Sequence, residues 1–393
     1  MLIRIPCQGE LHLIGGEGTV YYADLREVED ALLEKYRASA RVVYLDPPFG
    51  TGGSFEFRRG KRQTAYTDSM PRGEYMALIR EAAMLSRELL AADGTFFLHV
   101  DSRMSAHCRI MLDEVFGEEA FTNEIIWAYK SGGRATNSFS KKHDTILMYR
   151  MSEGSYFNIA AVGMKRGPER RNHMKRNVDD DGRVYFSIKT GGREYRYYED
   201  DPIYPSDVWD DIEHLQQRDP ERTGFITQKP AALLKRIILA CSEEGDTVID
   251  LFGGSGTTAA AAAELKRRFV SVDRGRVAAA VTRRRLIERC LKMKLYDTSG
   301  PMSVEFDVVE QPCFEPERYF DMEQKGDKLV LTLKKLPQEA CPFYAAKGFV
   351  SEGVFAASDY FLRFKAGQGM SLLPGECLHL VDEDLNQGFF VNE

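Results

Sequence analysis

The stretch Thr247-Val-Ile-Asp-Leu-Phe-Gly-Gly-Ser-Gly-Thr-Thr258, followed by Phe269-Val-Ser-Val-Asp273, decides how this chain folds. Thr247 to Leu251 is short, apolar and rich in β-branched residues, which predicts a buried strand. Gly253, Gly254 and Gly256 let the backbone turn sharply and approach a ligand closely. Thr258 to Leu265 is mostly alanine, the best helix former, and its first turn would present free N–H groups at the glycine loop. Phe269 to Val272 reads as the next strand, closed by Asp273. A carboxylate at such a strand end can take both hydroxyls of a ribose, as in other doubly wound nucleoside-binding folds. The stretch describes a cradle for a nucleoside cofactor. Upstream, Phe225-Ile-Thr-Gln-Lys-Pro-Ala-Ala-Leu-Leu234 predicts a helix leading into it. Because Gly254-Ser-Gly256-Thr-Thr-Ala259 formally satisfies G-x-G-x-x-A, a nicotinamide or flavin stays open here; alone, that pattern is a weak signal.

The rest of the chain narrows the choice. Its 393 residues suffice for one large α/β domain with an appendage. With 43% hydrophobic and 29% charged residues the composition is ordinary for a globular protein. No apolar run reaches the roughly 18 residues that a membrane span needs. Met1-Leu-Ile-Arg-Ile-Pro6 lacks the apolar region of a signal peptide. The seven cysteines are scattered without a C-x-x-C pair, which fits free thiols in a reducing cytoplasm. No His/Cys/Asp cluster has ligand spacing, so no metal is expected. A net charge of −7 does not advertise nucleic-acid binding, so any basic surface must be local.

In the N-terminal part, a strand around Thr19–Tyr22, an amphipathic helix at 25–37 and a strand at Arg41–Leu45 lead into Asp46-Pro47-Pro48-Phe49. Two prolines lack ladder donors and cannot continue a central strand. The strand therefore ends there, and a rigid loop holds Asp46 and Phe49 at its carboxyl edge, where open α/β sheets bind ligands. The tetrapeptide has a specific chemical reading. A carboxylate and a proline-fixed carbonyl can accept hydrogen bonds from an exocyclic amine, and an aromatic ring can stack on the base carrying it. Two acceptors on its hydrogens favour a pyramidal nitrogen able to attack a sulfonium methyl, which is help by position and electrostatics rather than strong base catalysis.

Asp46-Pro-Pro-Phe49 upstream, Thr227-Gln-Lys-Pro230 in the middle and Asp250-x-Phe252-x-Gly254-x-Gly256-Thr-Thr258 downstream resemble the amino-group DNA methyltransferases. The catalytic motif precedes the cofactor motif, as in their β class, which includes type III modification subunits and many orphan or type II adenine methylases. Gly94-Thr-Phe-Phe-Leu-His99-Val-Asp101, Asn123-Glu-Ile-Ile-Trp127 and Lys142-His-Asp-Thr-Ile-Leu-Met-Tyr149 extend the likeness, which covers about residues 17–290. The resemblance implies a Rossmann-like α/β sheet with permuted motif order and S-adenosylmethionine as cofactor. It also implies transfer of a methyl to adenine in double-stranded DNA after base flipping. Cytosine-N4 methylation and a DNA-binding relative without catalysis are the alternatives; an oxidoreductase would leave D-P-P-F and T-Q-K-P unexplained. By resemblance, Asp46, Pro47, Pro48 and Phe49 form the catalytic loop. Asp250, Phe252, Gly253, Gly254, Gly256 and Thr257 line the cofactor site, with Asp273 on the ribose. Lys229 and Pro230 close over the methionine end, and Asp101 lies near the reaction centre. Phe49 stands where Tyr is commonest, Leu251 where Pro is usual, and Asp273 where Glu is common. The leading Asp of the tetrapeptide favours adenine, since Ser there is typical of cytosine enzymes.

The organisation expected is a catalytic half at 1–150, a target-recognition insertion at 151–224, a cofactor half at 225–298 and a small C-terminal appendage of unknown role at 299–393. Phosphate contacts are expected from a loop or arm carrying Arg58, Arg59, Lys61 and Arg62, and from Lys165, Arg166, Arg170 and Arg171. In the insertion, Tyr185, Tyr195, Tyr197 and Tyr198 interleave with basic residues, which suits base readout, although Asp179-Asp-Asp181 tempers it. Residues 281–298 predict a basic helix. The appendage predicts strands beginning at Lys328, at Tyr360–Phe364 and at Cys377–Val381, the last after a Pro374-Gly375 turn. Family members often dimerise, and the resemblance leaves a cognate restriction endonuclease open as a partner.

Overall fold

A computed structural model describes residues 2–3, 10–14, 18–48, 54–59, 61–67, 70–130, 135–165, 174–294, 303–307, 319–334, 336, 344–351, 354–361, 367–381 and 387–391. The elements of residues 18–150 that concern the site are β1 (Gly18–Tyr22), α1 (Leu25–Tyr36), β2 (Ala40–Leu45), α2 (Arg72–Leu89), β3 (Leu90–Asp101), α3 (Ser105–Phe116), β4 (Phe121–Ala128) and β5 (His143–Arg150). After the insertion follow α4 (Ala231–Cys241), β6 (Thr247–Asp250), α5 (Thr257–Glu264), β7 (Arg268–Asp273) and α6 (Arg276–Lys294).

These strands form one sheet in the order β1-β7-β6-β2-β3-β5-β4. Neighbours from β1 to β3 run parallel, whereas β5 is antiparallel to both β3 and β4. The chain leaves β2 through α2 to β3 on one side and leaves β6 through α5 to β7 on the other. The adjacent pair β6–β2 is therefore the topological switch point, where a crevice opens beyond the carboxyl ends. Asp250 stands opposite Tyr44 in the register. The loops that begin after Asp250 and after Leu45 thus leave the sheet side by side.

Strand alternation divides the core into two layers. Val42 and Tyr44 face one way, against apolar residues of α4, α5 and α6. Val43 and Leu45 face the other way, against α1, α2 and α3. Each half of the sequence thereby covers its own face of the shared sheet. Helix α1 starts at Asp24, which forms a capping box with Glu27. Helix α5 is almost all alanine, and its buried small side chains allow close packing on β6 and β7. Helix α6 begins five residues earlier than the predicted 281, because Val277, Ala278 and Ala280 also pack against the core. Helix α4 begins only at Ala231, with Pro230 as its N-cap, so the residues before Pro230 form a loop rather than the first turn.

The appendage continues the same sheet. Ser303–Asp307 pairs with Glu10–Ile14, which pairs in turn with β1. Val354–Phe361, Tyr344–Ser351, Glu376–Val381 and Gln387–Val391 follow outward. A separate sheet of Phe320–Lys325, Lys328–Leu333 and Gly369–Leu372 packs on this extension through Leu331, Leu372, Ala345, Leu378 and Leu380. The strand expected at Tyr360–Phe364 runs instead over Val354–Phe361, and 362–366 lie outside the described residues. No described helix is long and apolar enough to cross a membrane.

Candidate active site

A cleft of about 420 Å³ opens at the switch point, within the size range of small-molecule sites. Asp46 and Pro48 line it from the end of β2, and Phe252, Gly254, Ser255 and Thr257 from the loop after β6. Asp273 closes it at the end of β7, with Ala23, Asp24, Phe225, Thr227 and Lys229 completing the wall. Both motif groups meet in one cavity because β2 and β6 are parallel neighbours.

The glycine loop is shaped by what a side chain would strike. Gly254 and Gly256 have φ of 51° and 69°, the left-handed region that only glycine adopts freely. A Cβ on Gly256 would lie 2.6–2.9 Å from the Thr282 side chain, and one on Gly253 only 2.0 Å from Ser271 Oγ. Two carboxylates hold the loop from beneath. Asp273 Oδ2 accepts from Gly254 N at 2.8 Å and Oδ1 from Gly275 N at 2.6 Å. Burial raises the Asp273 carboxyl, against these two backbone donors. Asp250 accepts from Phe252 N at 3.0 Å and from the Thr258 hydroxyl at 2.5 Å. Burial nevertheless pushes Asp250 up to about 7, helped by the charges of Asp46 and Asp273.

At the other wall, Lys229 Nζ lies 2.7 and 2.6 Å from the two carboxylate oxygens of Asp46. Behind this pair runs a buried polar chain. Tyr44 Oη is 2.7 Å from His99 Nδ1, and His99 Nε2 is 3.3 Å from Asp144 Oδ2. An ionised carboxylate only accepts, so the hydrogen belongs on Nε2 and Nδ1 accepts from Tyr44. Tyr129 Oη donates to Asp144 from the other side at 3.3 Å. Burial alone would raise the Asp144 carboxyl, but His99, Lys229 and Tyr129 outweigh it and hold it below the ordinary range. Trp127 stacks on His214 with centroids 5.3 Å apart, and burial followed by the Lys229 charge lowers the His214 pKa.

This architecture, a sheet whose Asp46 edge comes first in the chain and whose glycine-loop edge comes last, can be set against known proteins. A family model described as DNA methylase, covering N6 and N4 methyltransferases, matches residues 40–283, well over half of the chain. The chain belongs to the DNA methylase family. Its relatives include type II methyltransferase M.EcaI of Enterobacter cloacae, 29% identical over 293 residues, or 63% of this chain and 64% of that one. DNA adenine methyltransferase YhdJ of Escherichia coli is 26% identical over 249 residues, or 62% and 76% of the two chains. The chain thus spans slightly less than two thirds of M.EcaI. The solved PvuII DNA methyltransferase, described as cytosine-N4-specific, aligns with 72% of this chain and 89% of its own, at 16% identity and a TM-score of 0.46.

In this chain, Asp46, Pro48, Asp250, Phe252, Gly253, Gly254, Thr257, Asp273 and Lys229 line one cleft. Gly256 shapes the loop, and Pro230 caps α4 behind it. Asp101 sits apart from that lining; its oxygens accept from Arg103 N at 2.9 Å and Arg103 Nε at 2.6 Å at the start of the turn into α3. Phe49, Arg166, Arg170 and Arg171 lie outside the described residues. Arg58, Arg59, Lys61 and Arg62 belong to an antiparallel pair, Ser54–Arg59 with Lys61–Thr67, rather than to an irregular loop. Lys165 lies in the short strand Met164–Lys165, paired with Pro202–Ile203. The expected aromatic and basic segment is a three-stranded sheet of Lys175–Val178, Val184–Thr190 and Arg193–Tyr198. Several of its cations are already paired, Arg183 with Asp200 at 2.8 Å and Arg196 with Glu194 at 3.1 Å. Among the described residues no group of His, Cys, Asp and Glu could hold a metal ion. Tyr44, Asp144, Glu221 and Arg285 were missed as site residues. Tyr44 had a signal, since it lies two residues before Asp46 on the same face of a strand.

Proposed function

We propose that this chain transfers a methyl group from S-adenosylmethionine to the exocyclic amine of adenine in double-stranded DNA. The observation that carries the reading is the shared cleft, in which Asp46 and the glycine loop face one cavity. Membership in the DNA methylase family supports it. Adenine is favoured by the leading Asp of the D-P-P-F loop and by the relative YhdJ, named a DNA adenine methyltransferase.

The cleft suits a nucleoside cofactor. Gly253 and Gly256 let the loop pack tightly on Ser271 and Thr282, and Asp273 keeps a second lone pair on each oxygen for ribose hydroxyls while holding Gly254 and Gly275. Phe252 and Phe225 offer apolar wall. When bound, S-adenosylmethionine supplies the electrophilic methyl. The chain's own work is positional. Asp46 and the Pro47 carbonyl accept the two amine hydrogens and leave the nitrogen lone pair directed at the methyl, while Phe49 stacks on the base. The target adenine must leave the duplex, because its amine cannot reach the methyl inside the stack. The proton that the nitrogen loses after transfer passes by way of Asp46 to water.

DNA contacts belong, in this reading, to the hairpin carrying Arg58, Arg59, Lys61 and Arg62, to Lys165, Arg166, Arg170 and Arg171, and to the sheet at 175–198, where Lys175, Arg193 and Tyr195 are exposed. Relatives include the Mod subunit of the type III restriction-modification enzyme StyLTI from Salmonella typhimurium. We extend the proposal to a cytoplasmic setting, bacterial, archaeal or phage-encoded, beside a cognate restriction endonuclease; self-association into a homodimer is a separate expectation from the family resemblance.

The test uses labelled S-adenosylmethionine and unmethylated genomic DNA, followed by digestion and nucleoside chromatography. Label in N6-methyladenosine is the expected result. Label in N4-methylcytosine would keep the mechanism and reverse the base. No label in DNA, despite tight S-adenosylhomocysteine binding, would overturn the reading.

A further inference from the structure

We propose that Lys229 is the positioning residue of Asp46, holding its carboxylate aimed into the cleft until the target amine arrives. This rests on the methyl-transfer reading above, and it departs from the family expectation that the lysine serves the cofactor's methionine end.

The geometry is that of a clamp. One ammonium donates to both oxygens of Asp46, at 2.7 and 2.6 Å, which fixes the rotation of a side chain at the start of a loop. Lys229 is only 7% exposed, so water competes poorly for these bonds. Each carboxylate oxygen has two lone pairs. The lysine takes one on each and leaves one on each, so clamp and substrate can be present together.

The lysine is itself braced by the cofactor loop. Thr257 Oγ1, in the first turn of α5, donates to the Lys229 carbonyl at 3.2 Å, and Arg285 donates to that Oγ1 at 2.8 Å. Arg285 also donates to Glu221 at 2.8 Å, and Glu221 accepts from Ala231 N at 2.9 Å. Pro230 restricts the backbone between these anchors. A polar strut thus runs from α6 through the glycine loop to the catalytic carboxylate. Without the ammonium, Asp46 would lose both bonds that resist its rotation and keep the like charge of Asp250 nearby.

The experiment uses the full chain with Lys229→Met and Lys229→Arg. Calorimetry reads S-adenosylhomocysteine affinity, and steady-state transfer to DNA reads kcat. Lys229→Met should lower kcat by roughly 10- to 100-fold, the scale of a misplaced reacting group, with Kd within about two-fold. Lys229→Arg, which keeps a cation able to donate to both carboxylate oxygens, should have a higher kcat than Lys229→Met. The opposite split, with Kd raised about ten-fold or more and kcat at saturation nearly intact, assigns the lysine to the cofactor and overturns the proposal. Should the wild type methylate no DNA at all, the function reading fails on its own. The pairing is then judged by thermal unfolding of Asp46→Asn, Lys229→Met and the double variant. A double loss smaller than the sum of the single losses supports the clamp, and additive losses overturn it.

Discussion

Replacing Asp250 with asparagine should flatten one component of the pH dependence of stability. Asp250 is 3% exposed and spends its oxygens on Phe252 N and the Thr258 hydroxyl. Burial raises its pKa, the two hydrogen bonds oppose this, and Asp46 and Asp273 add to it, carrying the group from 3.8 to about 7. A carboxyl whose folded pKa is raised contributes stability that is complete below its unfolded pKa and is lost as pH climbs through the folded one. The window is therefore 3.8 to about 7. At about 1.36 kcal/mol per unit, the full shift is worth roughly 4 kcal/mol, of which about 2.5 kcal/mol falls between pH ~5 and ~8. Asparagine keeps an acceptor for Phe252 N–H, and its amide can donate to Thr258, so it mimics the protonated acid without titrating. Melting temperatures of both proteins across that range test the argument. The variant should gain about 3 °C on the wild type from the acid to the alkaline end, taking ~2 cal/mol/K per residue for the unfolding entropy. Titrating groups that do not interact with Asp250 cancel in the difference. A difference that stays constant, or moves the other way, would refute the burial argument for Asp250.

Further outcomes follow from the same cleft. Asp46→Ala should abolish transfer, by at least about 100-fold in kcat, and leave DNA affinity nearly intact in a filter-binding assay; activity equal to wild type would sink the catalytic assignment. Asp273→Ala removes the acceptor for Gly254 N and Gly275 N. It should raise the cofactor KM by about ten-fold or more with kcat at saturation little changed, and an unchanged KM would contradict the cradle. Gly256→Ala forces a side chain into a φ of 69° and against Thr282. It should cost about 1–3 kcal/mol in a chemical melt, and Thr282→Ala in the same chain should return part of the loss by removing the contacted side-chain atoms.

What could be read from residue order was the part of the fold governed by local pattern. Thr247–Leu251 and Arg41–Leu45 announce buried strands because both faces of each are covered, and glycines or prolines mark where they end. The motif order then implies the switch point, since β2 and β6 become neighbours only if the two halves lead away in opposite directions. Tertiary pairing was beyond such reading. Lys229 lies 183 residues from Asp46, and nothing in Thr-Gln-Lys-Pro tells which carboxylate its ammonium will meet. His99 and Asp144 were both visible inside motifs, yet their contact follows from the register that sets His99 opposite Ile146 on β5. Lys328–Leu333 alternates plainly, but the joining of the appendage to the main sheet depends on Glu10–Ile14, far away at the other end of the chain. The same division explains why chemistry was easier to foresee than its control. The groups that touch substrate must sit at strand ends, where pattern marks them. The groups that aim those side chains need only be close in space, and Lys229 and Glu221, Thr257, and Arg285 reach one site from three separate segments.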